Sequence, residues 1–159
     1  MIGTKRSAQS GVALFVSLIF LLLLTLVGVA AMKSATLQEK MSGNVRLKNE
    51  SFQAAEAGLR EGEGFIAADA NEAVLAGCAQ CVAAGCQTPD FSSVSGGQGA
   101  CGVWRQAALG GGFYQLQKLG TSSAAINVDL GESVTLYRVT AVATVGNSTT
   151  AVESIYARN

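Results

Sequence analysis

The chain has 159 residues, 11 acidic and 11 basic side chains, and no net charge at pH 7, so no basic excess indicates nucleic acid as a partner. Histidine is absent, which excludes Ser-His-Asp and Cys-His catalysis and every histidine-containing metal site. The glycine-rich stretch at 95–99 lacks the preceding strand and following helix of a phosphate-binding loop. We therefore predict a protein that is not an enzyme and that has no cofactor.

The N-terminal 32 residues consist of a basic leader and an apolar run. The leader, 1–11, carries Lys5 and Arg6 and ends in Gln9-Ser10-Gly11. Residues 12–32 contain no charge. As a helix, this run would be roughly 31 Å long, which is about the thickness of a bilayer core. The pattern predicts a transmembrane helix.

A cleavable secretory signal is the alternative explanation of this region. Lys5 and Arg6 would then precede an apolar segment at 12–25, and Gly28-Val29-Ala30 would be the cleavage site. However, the helical pattern continues through that site. Basic residues flank both ends of the run, so charge does not orient it. The cysteines of the C-terminal part favour an exported location, and we therefore expect the N-terminus in the cytoplasm.

Residues 33–68 continue as an amphipathic helix. Apolar side chains recur at helical spacing: Leu37, Met41, Val45, Phe52, Ala55, Leu59 and Ile66. We expect the upper half of this stripe to pack on a sheet and the lower half on neighbouring subunits; alternatively, the whole stripe packs within its own domain. No proline interrupts 12–66, and Ser42-Gly43-Asn44 is where bending or local melting is expected.

Residues 69–159 are predicted to form a small head domain. A short helix at 71–78 precedes an irregular region that reaches Gly102. Strands are expected at 112–119, 133–145 and 149–157, the last two as a hairpin that turns at Gly146-Asn147-Ser148. The predicted fold class is α+β: a long N-terminal helix, with a membrane half and an amphipathic half, packed on a small antiparallel β-sheet.

The four cysteines, Cys78, Cys81, Cys86 and Cys101, lie in the irregular region. Their spacing does not give the two tight pairs of a zinc ribbon, and an exported domain oxidises its thiols. We therefore favour disulfides over zinc. A bond between Cys78 and Cys81 is cramped, which leaves Cys78–Cys86 with Cys81–Cys101, or Cys81–Cys86 with Cys78–Cys101.

Three segments resemble the PilX family of type IV pilus minor pilins. Gln9-Ser10-Gly11 with the following VALFVSLIFLL is similar to a class III pilin leader and helix start. MKSATLQEKMSGN at 32–44 and FQAAEAGLR at 52–60 resemble PilX specifically. Two C-terminal segments, at 137–140 and 154–158, fit the same family.

The resemblance implies a type IV pilin-like fold and a set of partners. A prepilin peptidase would cut after Gly11, and the new amine of Val12 would be methylated. The chain would divide into leader 1–11, membrane and polymerisation helix 12–32, amphipathic helix 33–68 and disulfide-bonded head 69–159. Its partners would be other minor pilins and the major pilin, bound through the N-terminal helix. The chain would lie in the inner membrane before assembly and in the extracellular pilus afterwards.

Val16 departs from the usual pilin pattern. Most pilins carry a glutamate at this fifth position after the cut, where it meets the N-terminal amine of an adjacent subunit. A subunit with nothing beyond it in the fibre has no such amine to neutralise, and an unpaired buried carboxylate is costly. Val16 therefore indicates a tip position, and the resemblance implies a minor pilin that takes part in initiating pilus assembly. A minor pseudopilin of a type II secretion system, and a tip adhesin or aggregation factor, are the alternatives.

Overall fold

The computed structural model describes residues 10–82, 86–92, 94–125 and 131–159. The predicted leader therefore lies outside the described residues, apart from Ser10 and Gly11. The chain divides into two compact units, Met1–Gly43 and Asn44–Asn159. A single long helix begins in the first unit and ends in the second, and the second unit also contains the whole head.

This helix, α1, begins at Ser10 and ends at Ala67, as the uninterrupted apolar and amphipathic pattern predicted. Residues 42–44 are helical, so the local melting expected at Ser42-Gly43-Asn44 is not observed. A glycine inside a helix costs only about 1 kcal/mol relative to alanine. The flanking helix formers offset that cost.

The end of α1 is capped by a polar side chain. Asn71 donates a hydrogen bond from Nδ2 to the carbonyl oxygen of Phe65, at 2.9 Å, and so satisfies one of the free carbonyls of the last turn. Asn71 closes a 3-10 turn that begins at Asp69. The short helix α2, Glu72–Ala76, follows directly. It lies within the helix predicted at 71–78 and is shorter than that prediction.

The second unit contains a four-stranded antiparallel sheet in the order β1-β2-β3-β4. The strands are β1 Trp104–Gln106, β2 Phe113–Ser122, β3 Val134–Val145 and β4 Ser148–Arg158. All three predicted strands are confirmed, and β3 and β4 form the predicted hairpin. Gly146 allows its tight turn because it adopts φ +59°, a conformation that side chains disfavour. Strand β1 was not predicted, because three residues are too few to show an alternation of apolar and polar side chains.

The inner face of the sheet packs against residues 51–66 of α1. The buried helix positions are Ser51, Ala55, Gly58, Gly62 and Ile66, and most of these side chains are small. A Cβ built at Gly58 would lie 3.6 Å from the Cβ atoms of Ala107 and Ala141, so the helix runs close to the sheet. This confirms the α+β architecture in which the helix and the sheet cover each other's apolar faces.

The predicted apolar stripe is partly wrong as a description of this contact. Ala55 and Ile66 are fully buried against the head and Leu59 packs on the core, whereas Phe52 is 45% exposed. Val45, in the lower half that was expected to face neighbouring subunits, is 55% exposed. The helix approaches the sheet through small residues, because a bulky side chain at Gly58 or Gly62 would hold the two elements apart. The predicted stripe therefore identified part of the buried face and missed its small residues.

Candidate functional site

The first candidate site is the apolar surface of residues 12–32 in the first unit. Large apolar side chains are exposed around the whole circumference of the helix, from 42% at Ile19 to 74% at Met32. The helix is long and apolar enough to cross a membrane by length and composition. A helix that is apolar on every side requires an apolar environment, which is either lipid or other apolar helices.

The polar groups of this surface are satisfied within the helix itself. Ser17 donates its hydroxyl proton to the carbonyl oxygen of Leu14, and Thr25 donates to that of Leu22, each at 2.8 Å. An unpaired hydroxyl in an apolar medium costs free energy, and back-bonding to the preceding turn removes that cost. Neither hydroxyl therefore needs a hydrogen-bond partner from lipid or from another helix.

The residues predicted for processing lie at the start of α1. Gly11 and Val12 belong to its first turn, because the helix begins at Ser10. Val16 lies one turn further along and is 57% exposed. No acidic side chain occurs between Val12 and Met32, so the described helix places no carboxylate near the Gly11–Val12 bond.

The second candidate site is the disulfide-bonded segment of the head. Cys78 is bonded to Cys101 and Cys81 to Cys86, with Cα atoms 5.6 Å and 5.0 Å apart. This is the second of the two pairings that the sequence left open. Every cysteine is oxidised, so no thiolate remains for the zinc site weighed as an alternative. Within the described ranges, no other acidic or cysteine cluster is placed to hold a metal.

The two bridges have different surroundings. Cys78 is 7% exposed and lies in the core with Ile66, Leu75 and Leu116. Cys81 lies at the edge of β2, where its backbone N–H donates to the carbonyl oxygen of Lys118 at 2.8 Å. Gln80 forms a single parallel bridge with the same residue. The segment therefore continues the sheet past the short strand β1 and covers the edge of β2.

Residues 86–92, which we call the strap, connect the smaller disulfide to the other face of the sheet. Arg138 on β3 donates from Nη1 to the carbonyl oxygen of Cys86 at 2.6 Å. Its Nε also lies 3.1 Å from Oε1 of Glu153 on β4. Gln117 on β2 donates to the carbonyl oxygen of Gln87 at 3.2 Å. Three neighbouring strands thus hold the beginning of the strap.

The far part of the strap is fixed by Trp104 and by an internal turn. Trp104 donates from Nε1 to the carbonyl oxygen of Asp90 at 3.3 Å. The Asp90 carboxylate accepts hydrogen bonds from the backbone N–H and the hydroxyl of Ser92, and these bonds lower the pKa of Asp90. The strap is therefore an ordered part of the head surface.

Polar contacts also join α1 to the sheet, and the sequence did not reveal them. The buried hydroxyl of Ser51 lies 2.7 Å from that of Thr150, Ser154 donates to Glu63 at 2.6 Å, and the N–H of Ala108 donates to Glu61 at 2.7 Å. Isolated serines and glutamates on a helix are ordinary surface residues, so no pattern marks them. The Arg138–Glu153 pair did have a signal: in the predicted hairpin these residues are close neighbours on one face.

The N-terminal part of the chain is similar to a known family. Residues 10–60 match the family model described as PilX N-terminal. The matched region contains the apolar surface of residues 12–32 and the part of α1 that begins to pack on the sheet. The disulfides, the strap and all four strands lie beyond it. Neither the curated proteins nor the solved structures give a match.

Proposed function

We propose, from the premise that this chain is a PilX-family pilin of the type IV pilus, that it is a minor pilin which takes part in initiating pilus assembly at or near the pilus tip. Proteins of this family are structural rather than enzymatic, and we assign this chain a structural role. The apolar surface of residues 12–32 carries the proposal. It is exposed on all sides and satisfies its own hydroxyls.

That surface supports two successive environments. Before assembly, residues 12–32 lie in the inner membrane, with the N-terminus in the cytoplasm and the head in the periplasm. The two disulfides fit an oxidising compartment for the head. In the extracellular pilus, the apolar helices of other minor pilins and of the major pilin replace lipid around the same residues. Both environments are apolar, so the transfer leaves no polar group unpaired.

Val16 supports the tip position. A glutamate here would need a cationic partner when it is buried among apolar helices. Valine carries no charge, so it needs no cationic partner. This subunit therefore does not require a neighbouring subunit whose N-terminal amine would pair with residue 16. The position therefore suits the first subunit of a fibre better than a subunit in its shaft.

Processing at the helix start is the experimental test of this proposal. The chain is expressed in a piliated cell, and its intact mass is measured after recovery from sheared pili and from membranes. We expect a prepilin peptidase to remove the leader after Gly11, and we expect a methylated amine on Val12 in both samples. A start near Ala31 would indicate a secretory signal instead, and an uncut Met1 would indicate a simple membrane anchor. Either result would overturn the proposal.

A matched variant separates processing from expression. Gly11→Val removes the small residue that cleavage requires and leaves the apolar residues 12–32 unchanged. The variant should accumulate at full length in the membrane and be missing from sheared pili. If uncut Gly11→Val protein is found in pili at the wild-type amount, the chain does not enter the fibre by pilin processing.

A further inference from the structure

Arg105 lies close to two aromatic rings. It lies on β1, and its guanidinium carbon is 4.2 Å from the ring centroid of Phe65 on α1 and 5.7 Å from that of Tyr114 on β2. Such distances allow a cation–π attraction. The two rings come from separate elements, so the helix and the sheet together fix the position of this cation.

The guanidinium of Arg105 has no hydrogen-bond or ion-pair partner within the described ranges. Arg46, Arg60, Arg138 and Arg158 each form an ion pair with a carboxylate. The Arg105 side chain forms no ion pair there and donates no hydrogen bond. The contacts with the two rings therefore position Arg105 without using its N–H donors.

A cavity of about 470 Å³ lies beside this cation. Its lining includes apolar side chains from Phe65, Val74 and Ala100, and polar groups from Asn71, Gln98 and Arg105. This volume is within the range of small-molecule sites. Polar and apolar groups contribute about equally to its wall. Among the described residues that line the cavity, Arg105 alone is basic, so the site matches a ligand with a single negative charge.

We propose that this cavity binds a carboxylate, which Arg105 holds through two parallel N–H···O hydrogen bonds. A planar guanidinium matches the two oxygens of a carboxylate, and the contacts of Arg105 with the two rings reduce its conformational freedom. Phe65 and Val74 would contact the carbon skeleton of the ligand. The carboxylate belongs either to a free sugar acid or to a glutamate side chain of another protein. The proposal concerns the second unit alone and does not depend on the filament role.

The test uses the full chain in detergent micelles, labelled with ¹⁵N and titrated with defined probes. Glucuronate represents the sugar acid, with glucose as its uncharged counterpart. A blocked Gly-Glu-Gly peptide represents the protein side chain, with blocked Gly-Gln-Gly as its counterpart. We expect a saturable shift of the Arg105 signals with at least one acid and none with its neutral counterpart. The acid that binds more tightly identifies the source.

Two arginine variants complete the test. Arg105→Gln should weaken the binding of the acid at least tenfold, whereas Arg60→Gln, an exposed arginine on α1, should bind as the wild type does. Should Arg105→Gln lose its native near-ultraviolet circular dichroism, Arg105→Lys replaces it; we expect at least threefold weaker binding, because an ammonium lacks the planar pair of donors. The proposal is overturned if neither acid saturates, if a neutral counterpart binds equally well, or if the Arg105 variant retains wild-type affinity.

Discussion

Gly62 on α1 lies so close to Val139 on β3 that a Cβ at the glycine would be 2.6 Å from Cγ1 of the valine and 3.1 Å from the ring of Tyr114. Real Cβ atoms do not approach other carbons to such a distance. Val139 is fully buried in the centre of the sheet and cannot move away without disturbing its neighbours. This one missing side chain therefore sets the distance between the helix and the sheet.

Gly62→Ala should destabilise the head. Overpacking a dense core typically costs about 1–3 kcal/mol. Because the contact would be only 2.6 Å, we expect a cost in the upper part of that range, which exceeds the gain of about 1 kcal/mol from replacing a helical glycine with alanine. Gly64→Ala is the matched control, because a Cβ there meets nothing within 4 Å and only the helical gain applies. Urea denaturation of the chain in detergent measures both variants. A Gly62→Ala midpoint at or above that of the wild type would contradict the close contact.

The position of Gly62 also explains why the helix was easier to predict than its packing. An uninterrupted run without proline is visible in the sequence, and α1 agrees with it almost to the residue. The buried face is not visible, because Ser51, Gly58 and Gly62 have no hydrophobic signature. Phe52, which has one, is 45% exposed. Hydrophobic periodicity identifies a helix more reliably than it identifies which face meets a sheet.

The head shows the same limit. Strands β3 and β4 alternate and share a glycine-containing turn, so they were predictable as a hairpin. The strap is held by its disulfide, by the turn at Asp90 and by long-range contacts such as the one between Arg138 and Cys86. Contacts of that kind depend on the assembled fold. The cysteine spacing excluded one pairing, and the structure chose between the other two.

The two disulfides should differ in their effect on stability. Cys78–Cys101 closes a loop with a sequence separation of 23 residues, and Cys81–Cys86 one of 5 residues. Loop-closure entropy assigns the longer loop roughly 3.4 kcal/mol and the shorter one roughly 2.2 kcal/mol. Cys78 is also buried in the core, so its replacement loses packing as well.

Paired substitutions test this order. Cys78→Ala with Cys101→Ala should lower the thermal midpoint by more than Cys81→Ala with Cys86→Ala. The second pair should leave the near-ultraviolet spectrum largely unchanged, because Arg138 still holds the carbonyl of residue 86. An equal loss in the two paired variants would show that the strap depends on its disulfide for stability.

Arg138→Gln should destabilise the head more than loss of an ordinary surface arginine. The Arg138 side chain is 17% exposed, and the change removes its ion pair with Glu153 and its hydrogen bond to Cys86. Glu153 is 35% exposed, so water compensates part of the loss, and we expect about 1–3 kcal/mol. Arg46→Gln, in an exposed pair with Glu50, should cost less than about 0.5 kcal/mol. Equal denaturation midpoints for the two variants would show that Arg138 does not anchor the strap.

Stability should fall at alkaline pH because of two buried phenols. Burial raises the pKa of Tyr114, assisted by Glu61 and opposed by Arg105, and burial likewise raises the pKa of Tyr137. As the pH rises past the ordinary value of 10.0, the unfolded chain ionises first. The contribution of the neutral phenols is thus complete below that pH and is lost as the pH rises through the folded values.

Tyrosinate absorbance and circular dichroism, followed together during an alkaline titration, measure this effect. Ionisation of the two phenols should coincide with loss of native structure. The double variant Tyr114→Phe with Tyr137→Phe should keep its stability to higher pH, because it has no buried group at these positions to ionise. An unchanged pH profile in the double variant would assign the alkaline transition to other residues.

Val16→Glu should reduce pilus assembly if this subunit begins the fibre. At that position no following subunit supplies an amine, and a carboxylate among apolar helices has no cation to pair with. Val16→Gln has nearly the same shape without the charge, and it should have the smaller effect, since a neutral amide costs less to bury than a charge. The measurement is the number of pili per cell in a strain that carries only the variant chain. Wild-type piliation in the Val16→Glu strain would mean that an amine lies next to residue 16. That amine would come from a further subunit beyond this one, so the chain would belong in the shaft.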